Sequence, residues 1–268
     1  MPESKALSDN PPAVALERVS VAFGPYVAVR QASLSVRAGE FVAIVGPTGC
    51  GKSTLLNVVA GLLAPAEGAA RVLGRAVQGI TREAGYLFQA DALMPWKSAE
   101  DNVAVALRVK GFDRAEASRL ARDWLARVGL QKFGARYPHQ LSGGQKKRVA
   151  LAQMLCRDPE ILLMDEPFGP LDAQTRVLMG DLLLRLWSKD RKAVLFVTHD
   201  LDEAIALADR VVVMSAGPQA RIIAEHVIDL PRPRAAVDIR LDPQFHALQA
   251  AIWHDLKAEV MKAYEAQA

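Results

Sequence analysis

The chain is poor in the features that mark secreted or membrane-spanning proteins. Among 268 residues there are two cysteines, Cys50 and Cys156. Two thiols cannot build a disulfide framework, and they suit a reducing compartment. A leading apolar run is missing: residues 1–12 are polar, unlike a signal peptide, and read as a frayed tail. The longest weakly polar stretch, Leu55 to Ala66, is interrupted by Asn57 and falls far short of the ~20 residues that span a bilayer. Neither charge sign dominates. Lys plus Arg total 33 and Asp plus Glu 30, a net charge of +3, too weak a field to argue for nucleic acid by itself. No His/Cys cluster has zinc spacing, and there is no internal repeat. Collagenous, disulfide-stapled and membrane-spanning readings are excluded, and a soluble intracellular protein is expected. What remains is ordinary globular material, 51% hydrophobic and 24% charged, long enough for one large domain or two small ones.

The apolar pattern changes character along the chain. Val14, Leu16, Val19, Val21 and Phe23, then Leu34 and Val36, read as short half-exposed antiparallel strands. Phe41 to Val45 is unbroken, as in a strand buried on both faces. Gly46 to Gly51 ends it, and Lys52 to Leu63 reads as a helix. The middle is helical. Asp113 caps a helix with apolar positions Ala117, Leu120, Ala121, Trp124, Leu125 and Val128, and Gly129 stops it. From Glu160 onward, strand runs at 161–164, 193–197 and 211–214 alternate with helical stretches at 173–187 and 202–208. That alternation predicts a mostly parallel sheet with helices on both faces. Pro231-Arg232-Pro233-Arg234 reads as a turn or hinge, and the tail from Pro243 as one amphipathic helix.

Gly46-Pro47-Thr48-Gly49-Cys50-Gly51-Lys52-Ser53, followed by Thr54, fits G-x-x-x-x-G-K-[ST] between a buried strand and a helix. Glycines let successive N–H groups turn inward toward an anion, and the helix N-terminus adds partial positive charge. Lys52 can bridge β- and γ-phosphates, and Ser53 offers a hydroxyl to Mg²⁺. Cys50 reads as a small filler whose N–H faces phosphate; a thiol of lowered pKa is the alternative. Asp165 closes the apolar run Ile161–Met164 at the carboxyl end of a strand, where it can hold Mg²⁺. Glu166 follows as candidate general base. Gln89, after Tyr86-Leu87-Phe88, could reach metal or water. His199, after 194–198, could contact a γ-phosphate. Leu141-Ser142-Gly143-Gly144-Gln145 opens a helix with free N–H groups but no lysine of the phosphate-loop kind. One chain thus carries two half-sites for phosphate, and head-to-tail dimerisation is a simple way to use both.

These motifs strongly resemble the ATP-binding subunits of ABC transporters, from about Val14 to Val213. Residues 46–54 are similar to Walker A, Gln89 to the Q-loop, 141–145 to the LSGGQ signature, 161–167 to Walker B and His199 to the switch histidine. Gly169-Pro170-Leu171-Asp172 is similar to the D-loop, with Asp172 as its acid. Phe23 stands where that family stacks an aromatic on adenine, with Tyr26 its nearby competitor. Leu93-Met94-Pro95-Trp96 and 166–172 resemble importers of nitrate, sulfonates, taurine or pyrimidine-type precursors.

The resemblance implies an α/β fold of the P-loop NTPase ABC ATPase type: a mostly parallel core sheet, an antiparallel β-subdomain and a helical subdomain. It implies an ATPase domain over 13–230, with the helical part at about 90–157 and a helical tail at 231–268. It also implies ATP and Mg²⁺, with Ser53, Gln89 and Asp165 near the metal. Two copies would close on two ATPs, with 141–145 and Asp172 acting in trans. Two permease subunits would be driven from the cytoplasmic face of the inner membrane, a solute-binding protein would act indirectly, and no nucleic acid would be bound. A permease coupling helix would sit near Gln89 to Trp96, with Trp96 as contact or, alternatively, as a core residue. Lys146, Lys147 and Arg148 read as a solvated basic face or as γ-phosphate-side electrostatics. His139 reads as structural, and Trp253 and His254 as packing residues. The alternative function is a non-transport ABC ATPase acting on nucleic acid or the ribosome. That class usually shows tandem cassettes or a long coiled coil before the signature, and neither is present. A nucleotide-binding subunit that does not hydrolyse conflicts with intact Lys52, Asp165, Glu166, Gln89 and His199.

Overall fold

The computed structural model describes residues 11–90 and 92–265, so residues 1–10 of the predicted tail lie outside it. In chain order the elements are β1 (Val14–Phe23), β2 (Tyr26–Val36), β3 (Phe41–Val45), α1 (Lys52–Val59), β4 (Glu67–Val72), β5 (Arg75–Ala76) and β6 (Ala84–Leu87). Then come α2 (Ala99–Val109), α3 (Arg114–Arg127), α4 (Gly143–Leu155), β7 (Ile161–Asp165), α5 (Ala173–Asp190), β8 (Ala193–Val197), α6 (Leu201–Leu207), β9 (Arg210–Met214), β10 (Ile222–Val227) and α7 (Pro243–Glu265).

Two sheets form. The antiparallel one runs β2-β1-β4-β5, and the larger runs β10-β9-β3-β8-β7-β6. Within the larger sheet β6, β7, β8, β3 and β9 are parallel, and only β10 is antiparallel. The continuous apolar runs Phe41–Val45 and Ala193–Val197 are buried along their whole length, as strands covered on both faces must be. One face of this sheet packs with α1 and the antiparallel sheet. The other packs against the helices, including α2 to α6.

Local chemistry explains the helix boundaries. Ser98, Asp113 and Asp172 each accept a backbone N–H three residues ahead, capping α2, α3 and α5. Gly129, at φ 73, ends the turn after α3, and Ala117, Ala121 and Leu125 bury its apolar stripe. The helix after the glycine loop is shorter than the sequence suggested. It ends at Val59, and residues 61–63 turn back, with Leu62 and Leu63 N–H both donating to Asn57 O.

The predicted hinge at 231–234 is a fastened strap. The Arg234 guanidinium is buried and donates to the carbonyls of Leu230, Ile228, Ile205 and Ala208. Arg232 pairs with Asp209 and lies 4.6 Å over the Trp187 ring. α7 packs through Phe245, Ile252 and Leu256. Trp253 and His254 are exposed, so the packing role expected of them belongs to Phe245, Ile252 and Leu256. None of the described helices is long and apolar enough to cross a membrane.

Candidate active site

The site lies at the carboxyl edge of four adjacent parallel strands. Register decides this. Leu87 pairs with Met164 and Asp165 with Val197, while Ile44 pairs with Val197 from the other side. The residues that leave β3, β6, β7 and β8 therefore emerge together, although they are scattered through the sequence. Two backbone bonds lock the strand exits: Glu166 N–H donates to Val197 O (2.9 Å) and Thr198 N–H to Ile44 O (3.2 Å).

Gly51 precedes α1 in left-handed conformation, φ 97, with no side chain capping the helix. A helix leaves its first N–H groups without internal partners, and here no side chain takes one, so they are available to an anion. Lys52 is only 4% exposed. Its Nζ donates to Gly46 O and Pro47 O, both at 3.0 Å, and lies 3.8 Å from Glu166 Oε1. Lys52 is thus curled over the loop with its charge turned inward.

Glu166 is the hub. Gln89 Nε2 donates to its Oε2 at 3.3 Å, and His199 Nδ1 lies 3.2 Å from the same oxygen. Lys52, Gln89 and His199 are brought onto one carboxylate. Glu166 holds φ 40, a left-handed conformation that costs a non-glycine residue on the order of 1–3 kcal/mol and tends to accompany functional sites.

A second cluster stands beside the first. The Ser53 hydroxyl donates to Asp165 Oδ1 at 2.7 Å. The Tyr86 hydroxyl lies 3.4 Å from Asp165 Oδ2 and 3.1 Å from Asn57 Oδ1. Burial pushes the Asp165 carboxyl up, partly countered by the Ser53 hydrogen bond. Burial, then Asp165, pushes the Tyr86 phenol up as well. Serine hydroxyl and aspartate carboxylate are hard oxygen donors of the kind that hold Mg²⁺, which keeps most of its waters and phosphate ligands. Gln89, expected near the metal or the water, bonds to Glu166, the neighbour of the Asp165 that accepts Ser53. Tyr86 was missed as a site residue; its place on the last strand before Gln89 was the available signal.

The signature turn is organised differently. Ser142 accepts Gln145 N–H and Gln145 accepts Ser142 N–H, a capping box at the start of α4. A β-carbon placed on Gly143 would lie 3.6 Å from Leu171 Cδ2, and one on Gly144 2.7 Å from Thr175 Cγ2. The signature and Asp172 therefore form one surface. Asp172 is exposed and accepts Thr175 N–H at 2.9 Å, which pulls its carboxyl below the usual range. Leu141 is buried beneath the turn.

One expectation is corrected, and two alternatives fall away. Lys147 is not part of a solvated basic face: it is 2% exposed and donates to Phe88 O (3.2 Å) and Gln89 O (2.6 Å), pinning the strand exit that carries Gln89. Lysine's long stem lets it reach across from α4, which spacing alone did not reveal. Cys50 is 1% exposed, its N–H donates to Pro47 O, and burial pushes its thiol up. The reactive-thiol reading fails, and the filler reading loses its phosphate-facing N–H here. Trp96 is 73% exposed and not a core residue. Buried Asn102 binds Met94 N–H and the carbonyls of Met94, Lys97 and Ser98, fixing a loop with Trp96 at its tip. Phe23 and Tyr26 face each other across the β1–β2 turn, and both are exposed.

Fold and site together define an ATPase of the phosphate-loop type that carries a signature helix. The family model described as ABC transporter matches residues 29–169. An ATP-binding protein of Brucella abortus (strain 2308) is 45% identical over 243 residues, covering 91% of this chain and 93% of the relative. A taurine import ATP-binding protein, TauB, of Pseudomonas aeruginosa is 46% identical over 228 residues, covering 84% and 86%. A dimeric post-hydrolysis structure of the ATP-binding cassette MJ0796 with ADP and Pi superposes with TM-score 0.72 at 31% identity, covering 81% of this chain and 100% of that one. The chain belongs to the ABC transporter ATP-binding family; it is an ATP-hydrolysing subunit of a transporter.

Proposed function

We propose that this subunit powers import of a taurine- or sulfonate-type solute, and that Glu166 is its general base. The observation that carries the catalytic reading is the convergence of Lys52, Gln89 and His199 on the Glu166 carboxylate. The solute class follows from the likeness to a taurine import protein.

The phosphates of ATP lie along residues 46–54, on the open N–H groups at the start of α1. Lys52 leaves the Gly46 and Pro47 carbonyls for the β- and γ-phosphates. Phe23, exposed at the β1–β2 turn, stacks on the adenine. Glu166 takes a proton from the attacking water, and Gln89 orients that water. His199 stands on the γ-phosphate side and steadies the carboxylate through the same oxygen. Ser53 and Asp165 would hold Mg²⁺, which would supply neutralising charge beside the terminal phosphates. The Ser142–Gln145 turn and Asp172, on their shared surface, complete the site of a second, oppositely oriented copy. Two permease subunits receive the motion at the fixed loop bearing Trp96, and a solute-binding protein feeds them. The subunit is then peripheral, at the cytoplasmic face of the membrane.

Reconstitution with permease subunits of the taurine-importer class tests this reading. Phosphate release is expected to rise in the presence of taurine and its binding protein and not with a sugar. Equal stimulation by unrelated solutes would overturn the solute class, and absence of stimulation by any permease would overturn the importer role.

A further inference from the structure

The carboxyl end of α7 is tied to the back of the phosphate loop. Glu259, near the end of that helix, accepts the N–H of Ala216 at 2.8 Å through Oε2, and its Oε1 accepts Lys262 Nζ at 2.6 Å. Ala216 lies in the segment that leaves β9, and Met214 before it and Gly217 after it lie close to the loop. A β-carbon on Gly46 would lie 3.1 Å from both Cβ and O of Met214, and one on Gly217 3.6 Å from Gly49 O and 3.6 Å from the Tyr26 hydroxyl. The segment's far side is sewn to β2: Gln219 N–H donates to Val27 O, Ala220 N–H to Ala28 O, and Arg30 N–H to Ala220 O. Its near side has Ser215 bonded back to Arg221, and Ala216 bonded to Glu259.

We infer that Glu259 is a positioning residue for ATP: it makes the C-terminal helix a brace that holds the 214–217 segment against the phosphate loop. A braced loop has less conformational freedom to lose when it closes on phosphates, and such preorganisation appears in affinity. The helix is itself anchored elsewhere, by His226 to Asp255 at 2.8 Å and by Gln249 to Asp202 at 2.6 Å. Glu259 therefore transmits the position of a docked helix and does not simply hold that helix down. The inference rests on the assignment of 46–54 as the nucleotide loop.

The test uses the purified full chain titrated with trinitrophenyl-ATP, alongside thermal unfolding and steady-state ATPase kinetics. Glu259→Ala is expected to weaken binding roughly fivefold or more, the scale of one charge-assisted hydrogen bond. KM should rise in step while kcat at saturating ATP stays at the wild-type value. Glu259→Gln, which keeps an acceptor oxygen, should recover most of the affinity. Gln249→Ala, which cuts an anchor remote from the loop, should lower the unfolding midpoint without changing affinity. Wild-type affinity in Glu259→Ala, or equal weakening by Gln249→Ala, would overturn the brace. Should Glu259→Ala not fold, Glu259→Asp shortens the reach by one methylene and carries the same expectation. Failure of the wild-type chain to bind the nucleotide would instead sink the loop assignment, and the brace with it.

Discussion

The helices α1 and α4 both begin with glycine-rich, anion-facing turns, yet they are built in opposite ways. At α1 the cap position is a left-handed glycine without a side-chain bond, and a buried lysine lies over the loop. At α4, Ser142 and Gln145 satisfy each other in a closed capping box. The first turn is left open and charged, so it can take an anion by itself. The second is already content and has no lysine of the phosphate-loop kind. It is a shaped surface that gains meaning when another molecule presents a phosphate to it. The contrast supports a division of labour between cis and trans halves.

The most severe challenge to the open half is Glu166→Gln. Turnover should fall about 100-fold or more, the range for loss of a general base, while ATP binding survives and gel filtration shows an ATP-held dimer. Near wild-type phosphate release would remove Glu166 from that role. Next, Lys52→Ala and Ser142→Ala separate the two turns directly. Lys52→Ala should cost roughly tenfold or more in the nucleotide affinity of a dilute monomer, as expected for lost charged hydrogen bonds. Ser142→Ala should leave that affinity within about twofold and yet cripple hydrolysis. Equal affinity losses would break the division.

A smaller effect concerns pH. Thr198 Oγ1 donates to Glu203 Oε2 at 2.5 Å behind His199, and burial pushes the Glu203 carboxyl up to about 7 from an ordinary 4.5. The folded chain therefore keeps a proton that the unfolded chain has released. Its stability contribution is present at low pH and is lost as pH rises from about 4.5 through about 7. Glu203→Gln should flatten the pH dependence of urea unfolding across that window, by no more than about 3 kcal/mol. An unchanged slope would show that Glu203 is ionised in the fold. The mildest test is on the closed half. Gly144→Ala presses a β-carbon against the Thr175 methyl and should cost about 1 kcal/mol. Thr175→Ser removes that methyl and should restore the loss in a double-mutant cycle. Additive losses would mean the contact is not the cause.

Much of this is legible in the sequence alone. The glycine loop, the strand-terminal acids and the capped helices follow local rules, so residues 46–54, Asp165, Glu166, Asp113 and the 142–145 turn could be read directly. The misreadings share one cause. Lys147 looked like surface because neighbouring lysines are usually solvated, yet it reaches carbonyls 58 and 59 residues away in sequence. Arg234 looked like part of a hinge because proline flanks it, yet it is buried among carbonyls drawn from several segments. Tyr86 and Glu203 gave no motif at all. Their importance comes from what packs beside them.

Local sequence determined which backbone turns could cradle an anion, where helices start, and which strands must be buried, because those properties depend on a residue and its near neighbours. Tertiary structure alone decided that Lys52, Gln89 and His199 meet at one carboxylate, that Trp96 faces out, and that Glu259 reaches the back of the phosphate loop. Those outcomes depend on strand register and helix docking, which no short window of sequence contains.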